Sequence, residues 1–211
     1  MKLLIMQPKL EKTILQLKDV VKHHDVDMVI FPEGYLNENL EEARQLARET
    51  HTILAGGHRR MDHQPKDYAL LIDATGEVQI DRQKYTPITA VTINNVTMGH
   101  ILCDELILQG LKTESEQSIE LIIHPIGVGM FSQAQFTEWV EKARQIATEH
   151  QVMVIGVSHR DGMFKGASES IPIAYGFQSD GSELFIANND PRSRMIDLTT
   201  KKVSMIEEVA P

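Results

Sequence analysis

The stretch V-D-M-V-I-F-P-E-G-Y-L, residues 26 to 36, decides the reading of this chain. Val26 to Phe31 is a short apolar run of the kind that forms a buried strand. Pro32 has no backbone N–H and cannot extend a ladder, so the strand stops there. Glu33 is thereby presented at the strand's carboxyl end. In open α/β sheets ligands bind outside the carboxyl ends of strands, so a carboxylate delivered to that place is a candidate for chemistry.

Working outward, short Val- and Ile-rich runs alternate with amphipathic stretches. The pattern predicts a strand over Lys2–Met6, a helix over Leu10–His23, a helix over Glu38–Glu49 and a strand over Thr52–Ala55 that Gly56-Gly57 ends. Tyr68–Asp73 and Glu77–Asp81 flank A-T-G as a hairpin, and Val91–Ile93 with Val96–Leu102 flank N-N as another. A helix over Glu105–Ser115, a strand over Ile119–His124, a helix over Gln133–His150 and a strand over Val152–Val157 follow. A last hairpin, Ile173–Gln178 with Glu183–Ala187, turns at S-D-G. Helices alternating with strands and interrupted by hairpins imply mixed sheets. The expected fold is α/β, with two mixed sheets face to face and helices outside, over residues 1–211 as a single domain.

The bulk properties exclude several classes of function. The formal charge of −9 is spread along the chain, whereas a nucleic-acid or polybasic membrane surface needs clustered Lys and Arg. No apolar run reaches the roughly 20 residues that span a bilayer. M-K-L-L-I-M-Q-P is broken too soon by Pro8 to read as a signal peptide, so a cytoplasmic protein is expected. A single cysteine forms no internal disulfide and no multi-Cys zinc site. In H-H-D-V-D, residues 23 to 27, the side chains straddle a helix end and a strand and diverge, so no metal is expected there.

Two further reactive residues fall at strand ends. Lys84 follows the strand Glu77–Asp81 in D-R-Q-K-Y-T-P, and Cys103 ends Val96–Leu102 in M-G-H-I-L-C-D-E. A thiol at a strand-to-helix turn, near an ammonium, is expected to have its pKa lowered below ~8.5. A carboxylate within reach takes the thiol proton and later activates water. A lysine stabilises the oxyanion of a tetrahedral intermediate. His100 precedes Cys103 by three positions on an alternating strand and points the other way; His124 remains an alternative base.

The order F-P-E, then K-Y-x-P, then G-x-x-x-C-D-E resembles the nitrilase (carbon–nitrogen hydrolase) superfamily. The likeness extends to L-L-I-M-Q-P, to H-P-I-G at residues 124–127, to the Trp-containing helix in residues 136–158, and to F-K-G-A-S and S-D-G. It implies an αββα sandwich and a Glu-Lys-Cys triad, with Glu33 as general base, Lys84 as oxyanion stabiliser and Cys103 as nucleophile. The Asp104 backbone N–H would be the second oxyanion donor. It further implies an amidase-type hydrolase of a small-molecule amide, without cofactor, that pairs as a homodimer.

The chain departs from the family pattern between Lys84 and Cys103, which lie 19 positions apart (103 − 84) with no Glu between them. Members generally carry a longer insertion there with a second functional glutamate, and have Asp where this chain has Glu105. Glu105, Glu138, His124 and Trp139 are candidates to complete the pocket, and Arg59 or Arg60 to attract an anionic group. The alternative is a catalytically inactive nitrilase-like binding or interaction module.

Overall fold

Successive side chains of a strand point to opposite faces, and in this chain both faces are buried. Leu3, Ile5, Met28, Ile30, Ile53 and Ala55 join one core, while their neighbours Leu4, Met6, Val29, Phe31 and Leu54 join another. Leu121, Ile123, Ile155 and Val157 share the first core, and Ile122, Ile126 and Val154 a third. Three cores require four layers, and that is why these strands read as continuous apolar runs.

The computed structural model describes residues 1–113 and 118–206. Its elements, in chain order, are β1 (Lys2–Ile5), α1 (Leu15–His23), β2 (Met28–Ile30), α2 (Leu40–Thr50), β3 (Ile53–Arg59), β4 (Asp67–Ile72), β5 (Val78–Gln83), β6 (Val91–Ile93), β7 (Val96–His100), α3 (Glu105–Leu108), β8 (Leu121–Ile126), α4 (Gln133–His150), β9 (Met153–Ser158), β10 (Ile173–Phe177), β11 (Glu183–Asn188), β12 (Arg194–Asp197) and β13 (Val203–Met205). One sheet has the order β13-β12-β1-β2-β3-β4-β5 and the other β11-β10-β9-β8-β7-β6. The first core lies between the sheets. Helices α1 and α2 cover the outer face of one sheet, and α3 and α4 that of the other. The αββα sandwich of two mixed sheets expected from the sequence is the fold observed.

Strands β1, β2 and β3 run parallel, as do β7, β8 and β9. Because β4 is antiparallel to both β3 and β5, β5 runs with β2 and β3. The ends of β2, β5, β7 and β8 therefore carry Glu33, Lys84, Cys103 and Gly127.

Three expectations change, and two strands appear that the sequence did not announce. Gly56 and Gly57 do not end β3, which runs on to Arg59. They are small because the turn after β2 packs on them: a Cβ at Gly57 would lie 2.7 Å from the Gly34 nitrogen and 2.8 Å from the Glu33 Cα. Helix α1 begins at Leu15 rather than Leu10, since Glu11 is drawn aside to accept from the Tyr35 hydroxyl and the Gln16 N–H. The helix after Cys103 stops at Leu108; residues 114–117, within and beyond its expected end, lie outside the described residues. Strands β12 and β13 are short and partly polar, with no alternation long enough to read. The N-N hairpin forms as expected, with φ of 52° at Asn94 and 60° at Asn95, both left-handed as a tight type I′ turn requires.

Candidate active site

The strand ends converge on one cavity of about 300 Å³ lined by Glu33, Lys84, Cys103, Asp104, Arg59 and Asp67 on its polar side. Met130, Phe131, Trp139 and Phe164 form its apolar side. Lys84 Nζ stands 2.8 Å from Glu33 Oε1 and 2.8 Å from Asp104 Oδ1. Glu33 and Lys84 are both buried. The Glu33–Lys84–Cys103 set singled out by its order in the sequence is thus brought together in space.

Burial raises the Glu33 carboxyl to about 7, the Lys84 ammonium only partly offsetting it. A base with that value is half ionised at neutral pH, the range in which general bases work best. Burial opposes the charge on Lys84, but Glu33 beside it outweighs that and its pKa is raised, so it stays an ammonium. Cys103 corrects the expectation of an acidified thiol. Burial and the neighbouring Glu33 charge push its pKa up, although Lys84 and the Gly127 backbone amide pull the other way. The thiol is protonated at rest.

Cys103 has φ of 45°, a left-handed conformation that a side chain rarely adopts. Its N–H donates to the Pro125 carbonyl at 2.9 Å, and its own carbonyl accepts from His124 Nε2 at 2.9 Å. His124 Nδ1 accepts from the Tyr175 hydroxyl. Buried with both nitrogens engaged, and with its pKa lowered to about 4 by burial, His124 is a neutral prop behind Cys103. It neither lines the cavity nor pairs with the sulfur as a base. Trp139 does line the cavity, its indole stacked on the His124 ring at 5.7 Å between centroids.

Glu105 and Glu138 do not supply a pocket carboxylate. Glu138 is exposed on α4, away from the cavity. Glu105 is buried and forms a two-pronged pair with Arg82 at 2.9 and 2.8 Å. The same carboxylate accepts from the Leu102 N–H at 2.6 Å and from the Tyr85 N–H. Tyr85 is also left-handed, at φ 69°, and its hydroxyl donates to Asp104 Oδ2 at 2.8 Å. Glu105 therefore ties the loop carrying Lys84 to the loop carrying Cys103. Its place two residues after the cysteine is the signal, but only the structure reveals Arg82 as partner.

Of the β3–β4 edge, Asp67 is the cavity residue that sequence reasoning missed, whereas the two arginines were candidates. Arg59 reaches the cavity, whereas Arg60 pairs with Asp81 outside it. Asp67, opposite Arg59 in the ladder, accepts from Arg59 Nε at 3.1 Å, and its carbonyl accepts from the Lys84 N–H at 3.0 Å. A reading that extended β3 past the glycines would have paired these two. Gly127 is also part of the site: a Cβ there would lie 2.9 Å from Glu33 Oε2. His159, buried, donates from Nδ1 to the Gly127 carbonyl at 2.9 Å. Among the described residues no three His, Cys, Asp or Glu side chains converge as a metal site, and no helix is long and apolar enough to cross a membrane.

No protein-family model matches the chain, and no curated protein matches its sequence. Solved structures match its fold. A Cys-to-Ala mutant of the amidase from Nesterenkonia sp. AN1, in complex with butyramide, superposes with a TM-score of 0.78 at 13% identity, over 95% of this chain and 92% of that one. A Glu-to-Gln mutant of the same amidase, with the acetamide moiety of fluoroacetamide added covalently at the active-site cysteine, gives 0.76 at 12% identity, over 94% and 90%. A Cys-to-Ser mutant, of the Nesterenkonia AN1 amidase from the nitrilase superfamily, gives 0.75 at 12% identity, over 95% and 92%. The likeness is one of fold, along almost the whole of both chains.

Proposed function

We propose that this chain is a carbon–nitrogen hydrolase of the nitrilase superfamily, cleaving small amides through a thioester on Cys103. The observation that carries the reading is the convergence of a buried carboxylate at about 7, an ammonium 2.8 Å from it and a lone thiol in one cavity. The fold neighbours support amides as the substrate class, one of them holding butyramide. The cavity's size and its wall of Met130, Phe131, Trp139 and Phe164 suit a short apolar acyl group.

In this mechanism Glu33 takes the thiol proton as Sγ attacks the carbonyl carbon. The carbonyl π electrons move to oxygen, where Lys84 and the Asp104 N–H stabilise the charge. The flanking amides of Cys103 and Glu105 are committed to the Pro125 and Leu102 carbonyls, which leaves the Asp104 amide for that task. Glu33 passes its proton to nitrogen, the C–N bond breaks and ammonia or an amine leaves. Water then attacks the thioester, giving one proton to Glu33. The C–S bond breaks, Sγ regains the proton, and the carboxylic acid departs. The balance is amide plus water to acid plus amine.

The test is ammonia release from butyramide, together with the intact mass after incubation with fluoroacetamide. Native protein is expected to release ammonia and gain one acetamide adduct, and Cys103→Ala to do neither. No ammonia and no adduct from native protein would refute the reading. An inactive binding module is the second reading, favoured by the short Lys84–Cys103 segment and the protonated thiol. It expects Cys103→Ala to bind butyramide as the native chain does, with no ammonia from either.

A further inference from the structure

Three carboxylates line the cavity, and their oxygens are unequally committed. Asp104 uses Oδ1 for Lys84 and Oδ2 for the Tyr85 hydroxyl. Glu33 meets Lys84 with Oε1, and on the proposed mechanism it must receive the thiol proton. Asp67 uses Oδ1 for Arg59, and its Oδ2 has no hydrogen-bond partner among the described residues. Gln135, another polar side chain of the cavity, is spent on the Phe131 N–H at 2.8 Å.

A primary amide enters such a cavity with two N–H groups that must give up water. An N–H facing Met130, Phe131 or Trp139 would lose its hydrogen bond without replacement, at a cost that only a built acceptor removes. Arg59 makes Asp67 such an acceptor. The guanidinium is fixed by Asp67 through Nε and by Asn37 Oδ1 at 3.0 Å through Nη1, and it packs flat on Gly34, where a Cβ would lie 2.7 Å away. A guanidinium fixed in this way holds the carboxylate in one orientation, with Oδ2 left over. The charge of Asp67 is also felt at Glu33, whose proton affinity it raises.

We infer that Asp67, held in place by Arg59, accepts an N–H of the substrate and so selects amides over oxygen esters of the same acid. The inference rests on the hydrolase reading above. The two can be separated, because an ester of the same acyl group passes through the same Cys103 thioester but brings no N–H.

The experiment compares kcat/KM for butyramide and for ethyl butyrate in the native protein, in Asp67→Asn and in Asp67→Leu, each at its own plateau pH. Asn is isosteric and keeps an oxygen for Arg59, but it can offer the substrate an N–H donor where an acceptor is needed. A hydrogen bond to a charged group is expected to be worth roughly ten- to a hundredfold. The amide-to-ester ratio should therefore fall by at least about tenfold in both variants. A ratio within about twofold of native, with both activities falling together, would overturn the inference and leave the hydrolase reading standing. A native protein that turns over neither substrate would overturn both.

Discussion

Replacing Glu105 by Gln tests the account of how the loops carrying Lys84 and Cys103 are held. Four hydrogen bonds converge on this carboxylate, from Arg82 twice, from the Leu102 N–H and from the Tyr85 N–H. Both partners of the ion pair are buried, Arg82 at 5% and Glu105 at 2% exposure. Removing one charge leaves the other buried and uncompensated, which costs about 3–5 kcal/mol. Gln keeps an oxygen acceptor, so the lower end, about 3 kcal/mol, is expected. For a chain of this length that lowers Tm by roughly 6–12 °C, measured by calorimetry or thermal unfolding. Arg82→Met alone should cost a similar amount. The double variant, which leaves neither charge, should lose clearly less than the sum. Tyr85 and Cys103 are both left-handed and persist so only while their surroundings over-determine them. Amide turnover should fall about a hundredfold in Glu105→Gln, because small displacements of reacting groups are that costly. A Tm within about 2 °C of native, or a double variant losing the full sum, would refute the clamp.

Three further outcomes follow from the electrostatics of the cavity. On the proposed mechanism turnover needs ionised Glu33, so kcat/KM for butyramide should rise with pH through a midpoint of about 7, and Lys84→Met, which removes the cation that lowers the carboxyl, should move that limb to higher pH. The sign for stability is the reverse: a carboxyl raised from 4.5 to about 7 favours the folded state below pH 4.5 and loses that contribution as pH rises through 7, readable as a smaller pH effect on Tm in Glu33→Gln. For Cys103, iodoacetamide labelling of the native protein should be slow at pH 8. It should become faster in Glu33→Gln, which removes a charge opposing the thiolate, and slower in Lys84→Met, which removes one favouring it. Equal rates in all three proteins would refute the electrostatic coupling.

What could be read from the sequence was whatever a single segment decides. The F-P-E turn, the N-N hairpin and the helix Gln133–His150 each have their cause within a few residues: a proline, a pair of asparagines, an apolar stripe. The buried strands were legible for the same reason, since both of their faces are apolar. What escaped was set by pairs distant in the chain. Gly56-Gly57 looked like a strand end because its cause, the Glu33-Gly34 turn packed upon it, belongs to another strand. Asp67 was passed over because only the β3–β4 register places it opposite Arg59 and beside Lys84. Glu105 was read as a pocket residue because nothing local names Arg82, 23 positions earlier, as its partner.

The thiol is the instructive failure, because the rule applied to it was correct and incomplete. A lysine and a backbone amide do favour the thiolate. The same enclosure that brings them close also removes water and sets the Glu33 charge beside the sulfur, and these effects win. A carboxylate at about 7 facing a thiol raised above its ordinary range cannot hold the sulfur proton at rest. On the proposed mechanism the transfer becomes favourable only as sulfur bonds to carbon and negative charge moves to an oxygen beside Lys84. The proton on Cys103 is then released by the substrate rather than by the resting protein. A nucleophile gated in this way is shielded from solvent electrophiles and oxidants, which attack the thiolate. It still acts on a carbonyl that can deliver its charge to Lys84 and the Asp104 amide.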